Sequence, residues 1–307
     1  MNHAPRSAAA AVAAVGLALG LAPTAPGLVI RDDTPLTDYL SPDPPAPQAT
    51  GGFTVNGTFD SSGVLIAPAV VLGAAHAAAS ANAAGRQFFI GGQTYGVASV
   101  QRLDGNTDAT DGRDAALFTL TRPVAGVTPA TVFAGRLADV VGRTAYYAGL
   151  GDRGTGTNPP TGNAADPDGL RLVGQNVIES AGGTFDTEDG PQTFSSTILF
   201  ADFDDGSDDA NPLGSPQLLT LEAGLAIGDS GGGVFVQNPL TGNYELAALH
   251  SFVIGEDFGY GAIAGSTGFT PQDLATIQAA VPEPTAAATL LALVGLTRRR
   301  RHRPGQY

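Results

Sequence analysis

The feature that most restricts the fold of this chain is its punctuation. Short apolar runs recur along the body, each closed by Gly, Asn, Asp or Pro. They are Val64–Ile66, Val70–Leu72, Phe88–Ile90, Val97–Val100, Ala115–Leu120, Ala145–Ala148, Thr197–Phe200, Gly233–Val236 and Leu246–Phe252. Runs of this length suit strands and are too short for most helices. The 42 Gly and 22 Pro among 307 residues supply the turns, which argues against a helical bundle or coiled coil. The spacing predicts an all-β sandwich or barrel. Helical character is confined to one place, Thr270 onward. Thr270 suits an N-cap, Pro271 the first helical position and Asp273 the positive end of the helix dipole, with Leu274 and Ile277 as the apolar face. One short helix is expected to close the body.

Composition narrows the function. The formal net charge is -14, the 15 basic residues are all Arg, and five of those lie in the last ten positions. Nothing in the body neutralises a row of phosphates, so nucleic acid is excluded as a partner. The 43% apolar content excludes a disordered chain. The absence of Cys removes thiol nucleophiles, zinc knuckles, Fe–S clusters and disulfides together, so the core must supply the stability.

The two ends read as separate from the fold. Ala8–Leu21 is an apolar run behind a short Arg-containing start and before small residues with Pro. Residues 1–27 therefore read as a secretory signal peptide, cleaved near Ala25 or Gly27. Residues 28–50, with Pro42, Pro44, Pro45 and Pro47, read as a Pro-rich extended linker. At the other end come Val281-Pro-Glu-Pro284, the apolar stretch Thr285–Thr297, then Arg298–Arg301 and Arg303. That stretch is shorter than the roughly 17–25 residues that span a bilayer. The order of the three parts in 281–307 resembles the PEP-CTERM sorting tag of bacteria. The resemblance implies an exosortase-type processing enzyme as partner and only transient membrane contact through the tags. A short tail anchor with an Arg stop is the plain alternative, and both readings place the body outside the cytoplasm, extracellular or at the cell surface. Six Arg and Glu283 leave with the two tags, which takes the net charge from -14 to -19.

The stretch that carries chemistry is Gly228-Asp-Ser-Gly-Gly232. A nucleophile elbow of the α/β-hydrolase kind needs a helix after the Ser, and a His far downstream. Here Gly233–Val236 reads as a strand, and His250 follows only 20 residues on. Histidine is scarce. With His3 and His302 in the tags, His76 and His250 alone remain in the body. His76 ends Gly63-Val-Leu-Ile-Ala-Pro-Ala-Val-Val-Leu-Gly-Ala-Ala-His76, and Asp114 opens Asp-Ala-Ala-Leu-Phe-Thr-Leu. Singly, each has an ordinary reading: a turn Ser, a solvated loop acid beside Asp104, Asp108 and Asp111, a His in an Ala-rich turn. Jointly, His, Asp and Ser in that order, each in its own motif, resemble the chymotrypsin-like (trypsin-family) serine proteases over about residues 51–280.

That resemblance implies two six-stranded antiparallel β-barrels, 51–131 and 132–280, with the site between them. It implies His76, Asp114 and Ser230 as catalytic residues, the N–H groups of Gly228 and Ser230 as an oxyanion hole, a protein or peptide substrate, and no metal or cofactor. The residue types suit the task. A Ser hydroxyl is a weak nucleophile until an imidazole takes its proton, and the imidazole needs a buried carboxylate to fix its tautomer. Departures exist. Ala77 stands where many relatives carry a disulfide Cys, and Gly233 replaces a Pro. No Ile-Val-Gly-Gly occurs to pair with Asp229, and Leu28-Val-Ile-Arg31 is the nearest candidate, so another N-terminus or an internal donor must hold Asp229. Gly224 maps to the base of the specificity pocket, so no acid waits there for Lys or Arg. Ser251, Phe252 and Val253 map to the pocket wall, and His250 precedes them, where glutamate-specific relatives use a His to bind the substrate carboxylate. A buried His bonded to a backbone carbonyl explains His250 equally well. Two acidic loops have the oxygen ligands calcium takes, Asp104/Asn106/Asp108 and Asp202/Asp204/Asp205/Asp208/Asp209, although such runs are also ordinary solvated turns. A function of another class stays open, a catalytically silent protease-like surface module that binds an extracellular partner.

Overall fold

The computed structural model describes residues 27–40, 46–78, 83–103, 109–161, 170–187, 190–215, 217–255 and 257–281. The signal and tag assignments, Pro42 to Pro45 and the Asp104–Asp108 run lie outside the described residues.

The described chain is mostly β. After β1 (Leu28–Ile30), six strands close into an antiparallel barrel: β2 (Thr50–Val55), β3 (Thr58–Ala67), β4 (Val70–Gly73), β5 (Arg86–Ile90), β6 (Gln93–Arg102) and β7 (Ala116–Leu120). Their order around the barrel is β2-β3-β4-β7-β6-β5. Two-residue turns set two of the hairpins. Asn56 and Gly57 have φ of 52° and 85°, and Gly91 and Gly92 have 58° and 72°, the left-handed pairs that match the twist of adjoining strands. Inside, Phe53 packs on Phe118 and Phe88 with ring centroids 4.3 and 4.9 Å apart.

The second half contributes β8 (Thr144–Gly149), β9 (Arg153–Thr155), β10 (Leu172–Val177), β11 (Ser180–Thr187), β12 (Gly190–Asp202), β13 (Ala223–Gly224), β14 (Gly233–Gln237), β15 (Tyr244–Ile254) and β16 (Ile263–Gly268). Seven of these form one antiparallel sheet, β10-β8-β14-β15-β16-β12-β11. The strand pairing closes one barrel and leaves this second sheet, expected as another closed six-stranded barrel, with two unpaired edges, β10 and β11. The physical reason is local. β10 and β11 are separated only by Ile178 and Glu179, and β10 pairs with β8 while β11 pairs with β12, so the two strands form the two edges of the sheet.

Residues 28–40, expected as extended linker, are folded onto this half. β1 runs parallel to β9 and antiparallel to β13, and the buried Tyr39 donates its hydroxyl to the Glu222 carbonyl at 3.1 Å. The closing helix α1 (Pro271–Ala280) is where the sequence predicts it. Thr270 Oγ1 accepts from Asp273 N at 3.1 Å, while Asp273 Oδ2 accepts from Thr270 N at 2.9 Å. Its buried Ile277 joins the apolar cluster that contains the barrel core.

Candidate active site

Three residues distant in sequence meet where barrel and sheet face each other. His76 lies in the turn after β4, and Asp114 lies two residues before β7. β4 and β7 are neighbours, and Gly73 is opposite Ala116, so both side chains reach the same rim. The backbone N–H of His76 donates to Asp114 Oδ1 at 2.8 Å, and the ring Nδ1 lies 2.6 Å from Oδ2. On the other side of the ring, Nε2 is 2.9 Å from Ser230 Oγ. A carboxylate at Nδ1 keeps the proton there and leaves Nε2 free to accept. Asp114 is fully buried. Burial of His76 disfavours its cation, but the hydrogen bond and charge of Asp114, with the charge of Asp60, outweigh this and raise its pKa above the usual histidine value.

Ser230 sits in the loop between β13 and β14, held from both sides. From the barrel, Ser62 N donates to the Ser230 carbonyl at 2.9 Å, and Ser62 Oγ donates to the Gly228 carbonyl at 3.0 Å while accepting from Leu150 N at 3.0 Å. From the sheet, Gly231 N donates to the His250 carbonyl at 2.8 Å, and His250 N to the Gly232 carbonyl at 2.9 Å. Gly231 has φ +82°, and a Cβ there would collide with the Ser62 carbonyl and lie 2.7 Å from Ala74 N, so only Gly fits. Among the described residues, the N–H groups of Gly228 and Ser230 have no protein acceptor. Two unspent donors beside a nucleophilic oxygen are what an oxyanion site needs.

Asp229, between these two donors in sequence, points inward and is fully buried. Internal donors hold it: Gly151 N at 2.9 Å on Oδ1, and Ala226 N at 2.8 Å and Leu28 N at 3.2 Å on Oδ2. Burial pushes its pKa up to about 7 against the pull of these three N–H groups.

The residues assigned to the specificity pocket are placed on two elements. Gly224 is on β13, and a Cβ there would lie 3.0 Å from the Phe203 ring. His250, Ser251, Phe252 and Val253 are on β15. His250 is fully buried, with Nδ1 3.2 Å from Ser266 Oγ and Nε2 unpartnered among the described residues. Burial drives its pKa down to about 3, so the ring is neutral. Ser251 Oγ lies 2.9 Å from Thr267 Oγ1, and Phe252 stacks on Phe194 at 5.5 Å. Of the second acidic loop, Asp202 and Asp204 are buried while Asp205, Asp208 and Asp209 are exposed. Among the described residues no three acidic or His side chains are gathered to hold a metal ion.

The sequence pointed to neither Ser62 nor the pair Asp60–Arg86. Arg86 Nη1 meets Asp60 Oδ2 at 2.6 Å and its Nη2 donates to the carbonyl of Ala77, the residue after His76, at 2.9 Å. No local pattern marks these residues, because each acts on a partner brought near by the tertiary fold. No protein-family model matches this chain, and no curated protein matches it significantly.

Proposed function

We propose that the chain is an exported serine endopeptidase of the chymotrypsin-like kind, cleaving protein or peptide substrates without metal or cofactor. The observation that carries this reading is the continuous Asp114–His76–Ser230 relay, 2.6 Å and then 2.9 Å long at its two links. Ser230 Oγ attacks the scissile carbonyl and passes its proton to His76 Nε2. The Gly228 and Ser230 N–H groups receive the oxyanion. His76 returns the proton to the leaving amine, and a water activated by the same imidazole releases the acyl group. Asp114 holds the ring and stabilises the imidazolium throughout.

The finer fold reading, two barrels, is supported by the continuity of β10 and β11. Counted as one strand bent at Ile178-Glu179, they join both ends of the second sheet and leave six strands around it. Export, surface location and exosortase processing rest on the signal and PEP-CTERM-like segments alone. Cleavage after Gly27 would make the α-amino group of Leu28 the donor that lies 3.2 Å from Asp229 Oδ2. Terminal sequencing of the exported protein, expected to read Leu-Val-Ile-Arg, tests that step. With Gly224 at the pocket base, apolar or small side chains are the proposed preference, and a neutral His250 is a weak holder of a substrate carboxylate.

The deciding experiment is labelling of the mature protein with a fluorophosphonate. Stoichiometric modification at Ser230 is expected. A folded protein that takes no label, at a pH where His76 is neutral, would leave the silent binding module as the better reading.

A further inference from the structure

Beneath β13 lies a group of acids the catalytic relay does not use. Glu179 comes from the β10–β11 bend, Asp202 from the end of β12, Asp204 from two residues on, and Glu222 from just before β13. Asp202 and Glu222 are fully buried and Asp204 is 3% exposed. Backbone donors take part of their capacity: Leu213 N on Asp202 Oδ2 at 2.8 Å, Leu219 N on Glu222 Oε2 at 2.9 Å, and Asp202 N and Ser215 N on Glu179 at 3.1 and 2.8 Å. The remaining oxygens, Asp202 Oδ1, Asp204 Oδ1 and Glu222 Oε1, are buried without a partner among the described residues. So is the hydroxyl of the fully buried Tyr147 on β8, which feels the charges of Glu222, Glu179 and Asp202.

Among the described residues no cation is paired with these oxygens. The ion pairs among the described residues are Arg31–Asp33, Arg86–Asp60 and His76–Asp114. Arg31 reaches this side but is spent on Asp33 and the Leu219 carbonyl. The remaining neighbours are Asp205 beyond Asp204, and Tyr39, whose hydroxyl goes to the Glu222 carbonyl. Among the described residues, every one of these facing groups is acidic or neutral. Three buried carboxylates beside the half-buried Glu179 cannot all stay ionised without a partner, and an unfilled buried oxygen is satisfied by the O–H of a protonated neighbour. Glu179 and Asp202 are already within hydrogen-bonding reach of each other, a contact that needs a proton between them.

We propose that Glu179, Asp204 and Glu222 keep protons at neutral pH, Glu179 sharing its proton with Asp202, and so clamp the strand that carries Gly224, and that losing these protons at alkaline pH unlocks the Ser230 loop. The path is short. Asn176 Nδ2 donates to both the Asp202 and Ala223 carbonyls, at 2.6 and 3.1 Å, tying the cluster to β13. β13 pairs with β1, and Leu28 of β1 donates to Asp229 beside Ser230. Burial above all pushes Glu222 up to about 9, Glu179 to about 8 and Asp204 to about 7; the hydrogen bond with Asp202 comes next for Glu179, and repulsion by neighbouring carboxylates adds to each. The folded state therefore keeps protons the unfolded chain has lost, and stability falls as pH rises from the ordinary carboxylate range through these values.

The proton-sharing part stands apart from the protease reading, and only the link to Ser230 rests on it. The test is calorimetric unfolding of the mature protein between about pH 5 and 9, in buffers of different ionisation enthalpy, for wild type, Glu222→Gln and Asp204→Asn. Wild type is expected to release about two or more protons on unfolding near neutral pH, with a melting temperature that falls as pH rises. Each variant is expected to release about one proton fewer, to flatten the pH dependence and to keep fluorophosphonate labelling to higher pH. Asp229 and Asp152, also raised, add to the wild-type count, so the assignment rests on the difference between wild type and variants. Unchanged proton counts in both variants overturn the proposal. So does a wild type that releases no protons, even if neither variant folds. A melting temperature raised by millimolar Ca²⁺ near pH 8 in wild type but not in Glu222→Gln also overturns it, in favour of a cation site. Proton counts as expected with no labelling at any pH would sink the protease reading and leave the proton cluster standing.

Discussion

Replacing Ser62 with Ala isolates the barrel's hold on the Ser230 loop. The substitution removes one hydroxyl with two hydrogen bonds, to the Gly228 carbonyl and from Leu150 N, both at 3.0 Å. The backbone bond from Ser62 N to the Ser230 carbonyl survives, so the loop stays attached. Leu150 is buried, and its orphaned N–H costs about 1–3 kcal/mol. The Gly228 carbonyl is partly exposed and regains water, so its lost bond is worth about 0.5–1.5 kcal/mol. Together these predict a destabilisation of about 2–4 kcal/mol, read by denaturant unfolding followed by circular dichroism. The freed Gly228 carbonyl also lets the peptide beside the oxyanion donors rotate. Outright removal of such a donor typically costs about 10²–10³ in kcat, so loosening one is expected to cost about 10–100-fold, with KM little changed. Steady-state hydrolysis of a peptide ester measures this. A folded Ser62→Ala protein with wild-type kcat would refute the idea that the barrel shapes the loop through this hydroxyl.

Ser230→Ala is expected to lower hydrolysis by about 10⁴–10⁶ with a nearly unchanged unfolding midpoint, since the side chain is small and partly exposed; retained turnover would exclude Ser230 as nucleophile. Asp114→Asn presents an amide N–H₂ to Nδ1, moves the ring proton to Nε2 and should cost about 10⁴ in kcat, with labelling slowed to match. The proton His76 must lose before it can act as base is held more tightly than usual, so activity should rise with pH through a midpoint above the ordinary histidine value. Because that folded-state pKa is raised, the stability His76 contributes is present at low pH and is lost as pH rises through it; a pH–rate profile with an ordinary histidine limb would contradict the assignment. Matched peptides with Leu, Ala, Glu or Arg before the scissile bond should show Arg cut no faster than Leu, and a strong Arg preference would show that an acid other than residue 224 reaches the pocket.

Much of the strand pattern was legible in the residues. Val64–Ile66 falls in β3, Val70–Leu72 in β4, Phe88–Ile90 in β5, Gly233–Val236 in β14 and Leu246–Phe252 in β15. Alternating or continuous apolar runs between turn residues are local, and local signals survive without knowledge of the fold. Besides the two- and three-residue strands β1, β9 and β13, the strands that escaped are β2, β10, β11 and β16, and β2, β11 and β16 each carry two glycines. Their glycines answer distant rings: a Cβ on Gly52 would lie 2.6 Å from an atom of the Phe89 ring, and one on Gly265 would lie 2.5 Å from the Phe252 ring. A glycine that makes room for a ring elsewhere looks, in one dimension, like a turn.

The candidate site divides the same way. His76, Asp114 and Ser230 were readable because their three motifs, taken together and in that order, resemble those of chymotrypsin-like proteases; singly, His76 and Asp114 read as ordinary loop residues. Sequence alone also set the missing thiols, the acidic charge and the capping box of α1. Only the tertiary structure decided that Leu28–Ile30 is a strand rather than linker, that the distant N–H groups of Leu28 and Gly151 join that of nearby Ala226 in holding Asp229, and that Ser62 grips the Ser230 loop. It alone buried Asp202, Asp204 and Glu222 beside the half-buried Glu179, and it left β10 and β11 on opposite ends of one sheet. The physical reason is common to all of these. Hydrogen bonding, burial and repulsion depend on which groups the closed chain brings within a few ångströms, and no local periodicity encodes that proximity for residues that lie on different elements.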